Sequence, residues 1–317
     1  MTRFIVRRLL LGVLTLLAVS VIVFAATQAL PGNAATAILG KTATPERVAA
    51  LSRQLHLNES VFAQYGHWLS GIVTGNLGTS AATQEPVSSL LSQRIANSAF
   101  LILIAAVVAI PLSILFGSWM AIKRDTMVDY VGSTVSLALA ALPEFVIGIV
   151  LVLLFATSVF HVFPAVSLIP PGDHAWQHLN LVILPAATLV LAVTPYISRI
   201  MRGSMVEVLE SEYVTMARLK GISERKVMLR HAIPNAIVPA IQVSALQLAW
   251  MAGGVVVVEF VFNYPGVGGA LVDAVGNHDV PTVQALTLII AAVYVLLNLA
   301  ADVTTIMVTP RLRTAER

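Results

Sequence analysis

Long uninterrupted apolar runs set the pattern of this chain, and six of them reach the ~20 residues that a bilayer crossing needs. They cover residues 9–30, 95–122, 130–160, 179–198, 232–258 and 280–301. Between the fourth and fifth runs lies the one long polar stretch of the second half, residues 207–234. Val206, Leu209, Tyr213 and Met216 recur there at helical spacing, which predicts an amphipathic helix. Gly221 falls just past its end, where a C-terminal cap favours a left-handed residue. Ser223 and Glu224 read as N-cap and first-turn acid of a short second helix, which is expected to give way at Pro234.

Residues 31–94 alternate differently. Thr44-Pro45 is an N-cap followed by proline at the first helical position, with Val48, Leu51 and Leu55 along one face. Asn58-Glu59 starts a second helix with Val61, Phe62, Tyr65, Trp68, Leu69 and Ile72. Two arrangements are open: both stripes packed on the bundle, or helices in the membrane interface with Tyr65 and Trp68 as belt residues. Gly75-Asn76-Leu77-Gly78 closes the segment as a turn, and Asn263-Tyr264-Pro265-Gly266 is a second tight turn. Residues 267–279 are too short to span and form a loop or a shallow helix. Pro111, Pro143, Pro185, Pro195 and Pro239 lie in or near apolar runs, where proline is tolerated if neighbouring helices satisfy the freed carbonyls.

Composition and charge add a class and an orientation. The 317 residues are 57% hydrophobic and 11% charged, against roughly 25% charged in soluble domains. Arg3, Arg7 and Arg8 precede the first run, but its length exceeds the ~7–15 residues of a signal-peptide core, so a retained span is expected. With six spans and the N-terminus inside, only Lys41, Arg47, Arg53 and Arg94 of the 19 basic residues fall outside. The asymmetry puts both termini and the 207–234 stretch in the cytoplasm. Basic residues confined to short segments between apolar runs argue against nucleic-acid binding. The absence of cysteine removes disulfides, thiolate metal sites and cysteine nucleophiles.

Three acids fall at or near membrane depth, where a carboxylate is costly and marks a candidate site. Glu144 follows Pro143 in mid-run; it either caps a broken helix or lines a translocation path. Glu259 and Asp302 lie near run ends, where reaching the headgroups explains them, although Asp302 is kept with Pro143 and Glu144 as a path or helix-break candidate. Gly40-Lys41-Thr42 lacks the upstream glycine and strand of a phosphate-binding loop. His174 and His178 beside Asp173 have metal-ligand spacing, but Pro170-Pro171-Gly172 makes the region a loop, and no metal is assigned. Zinc-protease, hydrolase and kinase patterns do not occur, so no covalent chemistry is expected.

The chain resembles the permease subunits of bacterial dipeptide/oligopeptide ABC importers, a group that includes nickel importers. The likeness runs through residues 75–80 (GNLGTS), Pro86-Val87, Asn97-Ser98, Leu184-Pro185-Ala186, Arg199 and Arg202. It continues through residues 212–221 (EYVTMARLKG), 231–235, Tyr264-Pro265-Gly266, Asp279 and Pro281, Asn298 and Asp302, and Pro310-Arg311. These permeases share a cytoplasmic signature of the form EAA, three residues, Gly, nine residues, I-x-LP. Anchored on Gly221, it sets Thr215-Met216-Ala217 at EAA and His231, Ile233 and Pro234 at I-x-LP. Thr215 and His231 depart from the signature, and Thr309 replaces an aspartate common in the family.

The resemblance implies an all-α polytopic protein of six transmembrane helices, the type I ABC importer permease fold, in the bacterial cytoplasmic membrane. Residues 1–30 would hold the N-terminus and first helix, 31–94 an extracytoplasmic helical segment, 95–310 the transporter domain and 311–317 a tail. The 203–234 loop would carry a coupling helix seated in a cytoplasmic ATPase, through Glu212, Ala217, Gly221, Ser223, Arg225, Val227, Met228, Arg230 and Pro234. Val227 and Met228 beside Arg225, Lys226 and Arg230 suit such an interface; a basic helix on anionic lipid is the alternative. Implied partners are a second permease, two ATPases and an extracytoplasmic solute-binding protein, with ATP and Mg on the ATPases and no cofactor here. Nickel or another small solute as cargo, a proton-coupled secondary transporter using Glu144 or Asp302, and a membrane scaffold are the competing readings.

Overall fold

Five helices of the computed structural model are long and apolar enough to cross a membrane, and a sixth apolar run is broken into two helices. The structure describes residues 2–28, 39, 43–54, 58–170 and 172–308. Leu30, Leu55, Lys41 with its neighbours 40 and 42, Thr309, Pro310 and the basic residues of 311–317 lie outside them. The chain is helical with no strand among the described residues. In order the helices are α1 (Thr2–Gln28), α2 (Pro45–Gln54), α3 (Val61–Val73), α4 (Val87–Ile122), α5 (Met127–Ala141), α6 (Glu144–Val152), α7 (Leu179–Leu209), α8 (Glu212–Leu219), α9 (Glu224–Val227), α10 (Ile233–Val261), α11 (Val267–Gly276) and α12 (Val280–Val308).

The long helices α4, α7, α10 and α12 pack as a bundle, with α1 laid along α12. At 1.5 Å per residue α10 is about 44 Å long. The α8–α9 unit at its start and α11 beyond its end therefore lie at opposite ends of the bundle. The main core joins Leu101, Ala105 and Ala109 of α4, Leu189 and Val193 of α7, and Met251, Val255 and Val258 of α10. Gly117 of α4 lies against the Ser198 backbone of α7, where a Cβ would overlap the carbonyl. Small residues at such crossings let membrane helices approach closely.

Several expected boundaries move. The second long helix begins at Val87, so the boundary expected at residues 94–95 falls inside α4. The run 130–160 is not one straight span: α5 and the α6 segment meet at 107°. Leu142 is extended (ψ 134°), as the residue before proline prefers, and Pro143 takes the N-cap position of α6. Pro111, Pro185, Pro195 and Pro239 stay inside unbroken helices. Nor does the chain give way at Pro234. A π turn at Met228–Ala232 carries α9 straight into α10, giving one helix of 38 residues, Glu224–Val261.

The segment before α4 packs on the bundle through α3. Tyr65 and Trp68 meet Phe24 of α1 at ring-centroid distances of 5.4 and 5.5 Å, and the Tyr65 hydroxyl is 2.7 Å from that of Ser20. Thr44 caps α2 as expected, its hydroxyl accepting from the Arg47 amide at 3.3 Å. The cap of α3 is Ser60, not Asn58. Phe62 stays exposed. The 75–80 turn is tied to the far end of the chain: Asp279 accepts from the Ser80 hydroxyl, from the Ala81 amide at 2.9 Å and from the Thr282 hydroxyl at 2.8 Å.

Candidate functional site

The polar stretch folds as a compact unit at one end of the bundle. The long helix α7 stops at Leu209; Glu210 and Ser211 break it, and α8 starts afresh. That break changes the helical phase. The predicted stripe of Val206, Leu209, Tyr213 and Met216 is therefore split: Val206 and Leu209 pack inward, but Tyr213 and Met216 are exposed. On α8 the inward face is Val214 and Ala217. Gly221 has φ +76°. Its amide donates to the Arg218 carbonyl at 2.9 Å, and that of Ile222 to the Ala217 carbonyl at 3.2 Å, the paired bonds of a Schellman cap.

Val227 closes the unit. Fully buried, it packs with Val214 and Ala217, while Ile222 and Val208 cover the cluster. Val227 is therefore no outward anchor, contrary to the sequence reading, and Met228 is half-buried beside α7 and α10. Ser223 stands at the N-cap of α9, but its side chain makes no capping bond. Arg218 clamps the two short helices instead, donating from Nε and Nη2 to Glu224 at 3.2 and 2.8 Å. The hydrogen bonds and charge of Glu224 raise the Arg218 pKa above its ordinary value. Glu212, Gly221, Ser223, Arg225, Arg230 and Pro234 are all exposed. Beside them stand the exposed apolar side chains of Tyr213, Met216, Leu219 and Leu229.

Two turns before α7 ends, Arg202 donates from Nε and Nη2 to the two carboxylate oxygens of Asp129, at 2.5 and 2.6 Å. Asp129 sits in the first turn of α5 and is buried. Arg124, in the α4–α5 connection, pairs with Glu210, and that contact raises the Arg124 pKa. Arg202 was among the residues carrying the resemblance; Asp129 was not singled out. Its one signal in the sequence is a lone acid at the start of an apolar run.

At the opposite end, Glu259 does not reach outward as expected. It is fully buried, accepting from the Ser98 hydroxyl, the Gly268 amide at 2.6 Å and the Gly269 amide. These amides belong to the first turn of α11, so Glu259 caps a helix whose own N-cap, Gly266, has no side chain. Asn97 completes the knot, donating to the Pro265 carbonyl at 3.1 Å while its backbone carbonyl accepts from the Tyr264 hydroxyl at 2.8 Å. Burial and the nearby Glu259 carboxylate hold the Tyr264 phenol above its ordinary pKa.

Glu144 occupies the first turn of α6, half-buried, where an acid favours the helix N-terminus. Asp302 of α12 pairs with Arg8 of α1 at 3.1 Å. Pro143 and Glu144 thus share the start of α6, while Asp302 belongs to a separate place. His178 bonds Asp173 at 2.8 Å and His174 stacks on Trp176 at 4.1 Å; no cluster of three potential metal ligands occurs among the described residues.

Comparison with known proteins accounts for both ends of the chain. The family model described as "Binding-protein-dependent transport system inner membrane component" matches residues 113–314, and its N-terminal companion matches residues 1–102. The "Probable peptide ABC transporter permease protein y4tP" of Sinorhizobium fredii is 37% identical over 312 residues, covering 98% of this chain and 99% of the relative. The "Glutathione transport system permease protein GsiC" of Escherichia coli K12 is 34% identical over 313 residues, 99% of each chain, as is that of Salmonella typhimurium. Such permeases are the non-catalytic, multi-pass components of inner-membrane transporters. This chain belongs to the family of binding-protein-dependent transport system inner membrane components, as a permease subunit of the peptide-type ABC branch.

Proposed function

We propose that this permease imports short peptides by alternating access, driven by ATPase subunits that grip the α8–α9 unit. The observation that carries this reading is the surface of that unit. Tyr213, Met216, Leu219 and Leu229 are exposed near Lys220, Arg225, Lys226 and Arg230 in sequence. Apolar anchors ringed by basic side chains suit a protein groove. The Schellman cap, the Val227 cluster and the Arg218–Glu224 clamp hold that surface rigid without using it. Docking a preordered surface loses less conformational freedom than folding one on contact.

By the same reading the 207–234 stretch and both termini face the cytoplasm, and residues 31–94 and α11 face outward. The partners are a second permease, two ATPases carrying ATP and Mg, and an extracytoplasmic binding protein. Peptide cargo is supported by the relatives: one is named for peptides and others for glutathione, itself a tripeptide.

The test uses the tagged chain purified from its native membrane, with mass spectrometry of what accompanies it. Wild type retains the ATPases and the second permease. Met216→Glu with Leu219→Glu is expected to lose the ATPases, keep the second permease, and abolish peptide uptake. Full retention of the ATPases by that variant overturns the docking surface.

A further inference from the structure

We propose that the pair formed by the buried Asp129 and the half-buried Arg202 is a positioning element of the transport cycle: it makes α5, and the Pro143 break at its end, follow the α8–α9 unit. This rests on the ATP-driven reading above and says which contact carries the motion inward.

The case begins with what α5 lacks. Its buried residues are Asp129, Gly132 and Ser136, none of them a large apolar side chain. Its apolar residues Val131, Val135 and Leu137 face away from the chain's own core. Gly132 lies against Met120 and Phe116 of α4, a smooth contact that resists sliding poorly. Near the far end of α5, the Tyr196 hydroxyl donates to the Ala140 carbonyl at 3.2 Å. Beside that single neutral bond, the stronger directional hold on α5 is the two-pronged contact with Arg202, which fixes orientation as well as distance.

That hold is mounted where movement would arrive. Arg202 stands seven residues before Leu209, and the next residue, Glu210, grips Arg124 in the connection leading into α5. The backbone then passes through Ser211 directly into α8. Two ionic contacts thus tie the entry of α5 to the last two turns of α7, beside the surface that the ATPase is proposed to pull. With Asp129 buried and Arg202 half-buried, the desolvation of the carboxylate offsets much of the pair's attraction, so stability alone is a weak reason for it. What an apolar contact does not reproduce is the fixed register.

The experiment exploits the absence of cysteine from the chain. Asp129→Cys/Arg202→Cys, assembled with cysteine-free partners and binding protein in proteoliposomes, is assayed for peptide uptake and ATP hydrolysis in the same vesicles. Before treatment the variant should carry at least tenfold fewer peptides per ATP than wild type. A short bifunctional thiol reagent that bridges the two positions should restore the ratio to within about threefold. Unchanged coupling before bridging, or no recovery after it, overturns the proposal. Arg202→Lys keeps the charge but not the fork, and guards against poor assembly of the double variant. It should assemble normally yet lose about threefold in peptides per ATP; an unaltered ratio also overturns the proposal. Wild-type vesicles lacking ATP-dependent uptake would instead refute the importer reading itself.

Discussion

The carboxylate of Glu259 occupies the space that a Cβ on Gly266 would need. Gly266 has φ −113°, a backbone that any residue adopts, so the demand for glycine here is purely one of volume. Gly266→Ala should cost about 1–3 kcal/mol through forced displacement of the carboxylate. Gly276→Ala, whose Cβ would meet nothing within 4 Å, should be neutral or slightly stabilising. Thermal unfolding of the two variants in detergent, side by side, checks the contrast.

Removing the acid has a different signature. Glu259→Ala strands the amides of Gly268 and Gly269 and the Ser98 hydroxyl in a buried site, at about 1–3 kcal/mol per unsatisfied group. Glu259→Gln retains an acceptor oxygen and nearly the same volume, so it should lose clearly less. Protease sensitivity of the 262–279 segment should rise in the alanine variant well before global unfolding.

At Gly221 the constraint is conformational rather than spatial. No atom lies within 4 Å of a Cβ built there, but φ is +76°. Substitutions should therefore rank by tolerance of the left-handed region: Asn mildest, Ala intermediate and Val worst, with Val costing about 1–3 kcal/mol. Retention of the ATPase by the membrane-inserted variants should fall in that order.

Two apolar residues of the same unit should separate cleanly. Val227→Ala opens a hole under Val214 and Ala217 and should cost about 1–2 kcal/mol. Met216→Ala, on the surface, should change stability by no more than about 0.5 kcal/mol while weakening ATPase retention. Thermal unfolding and co-purification, measured on both variants, distinguish the internal role from the external one.

Much of this arrangement was legible from hydropathy, because long apolar runs have few alternatives in a bilayer. The left-handed cap at Gly221 was equally legible, since it is a local backbone property. Features set by partners distant in sequence were not. Pro143 stood apart as a helix-break candidate and does coincide with an extended Leu142 and a new helix start, but nothing in the sequence told that the other four prolines ride inside helices. Helical spacing also carried Tyr213 and Met216 onto the wrong face, because two residues at the α7–α8 break reset the phase. Glu259 passed for a headgroup-seeking acid because its donors lie 161 residues upstream, at Ser98, and across a turn, at Gly268. Asp129 escaped notice since its partner is 73 residues away.

The 38-residue helix from Glu224 to Val261 begins in the unit proposed to meet the ATPase and reaches the residue that caps α11. At about 57 Å it exceeds the roughly 30 Å hydrocarbon thickness, so it acts as a shaft through the bilayer. Each residue of a helix adds about 100° of rotation. The angular setting of Arg225 relative to Glu259 is therefore written into the number of residues between them. One residue gained or lost in the shaft would swing one end by more than a quarter turn and uncouple the ATPase grip from the far cap, while every individual contact residue remained present.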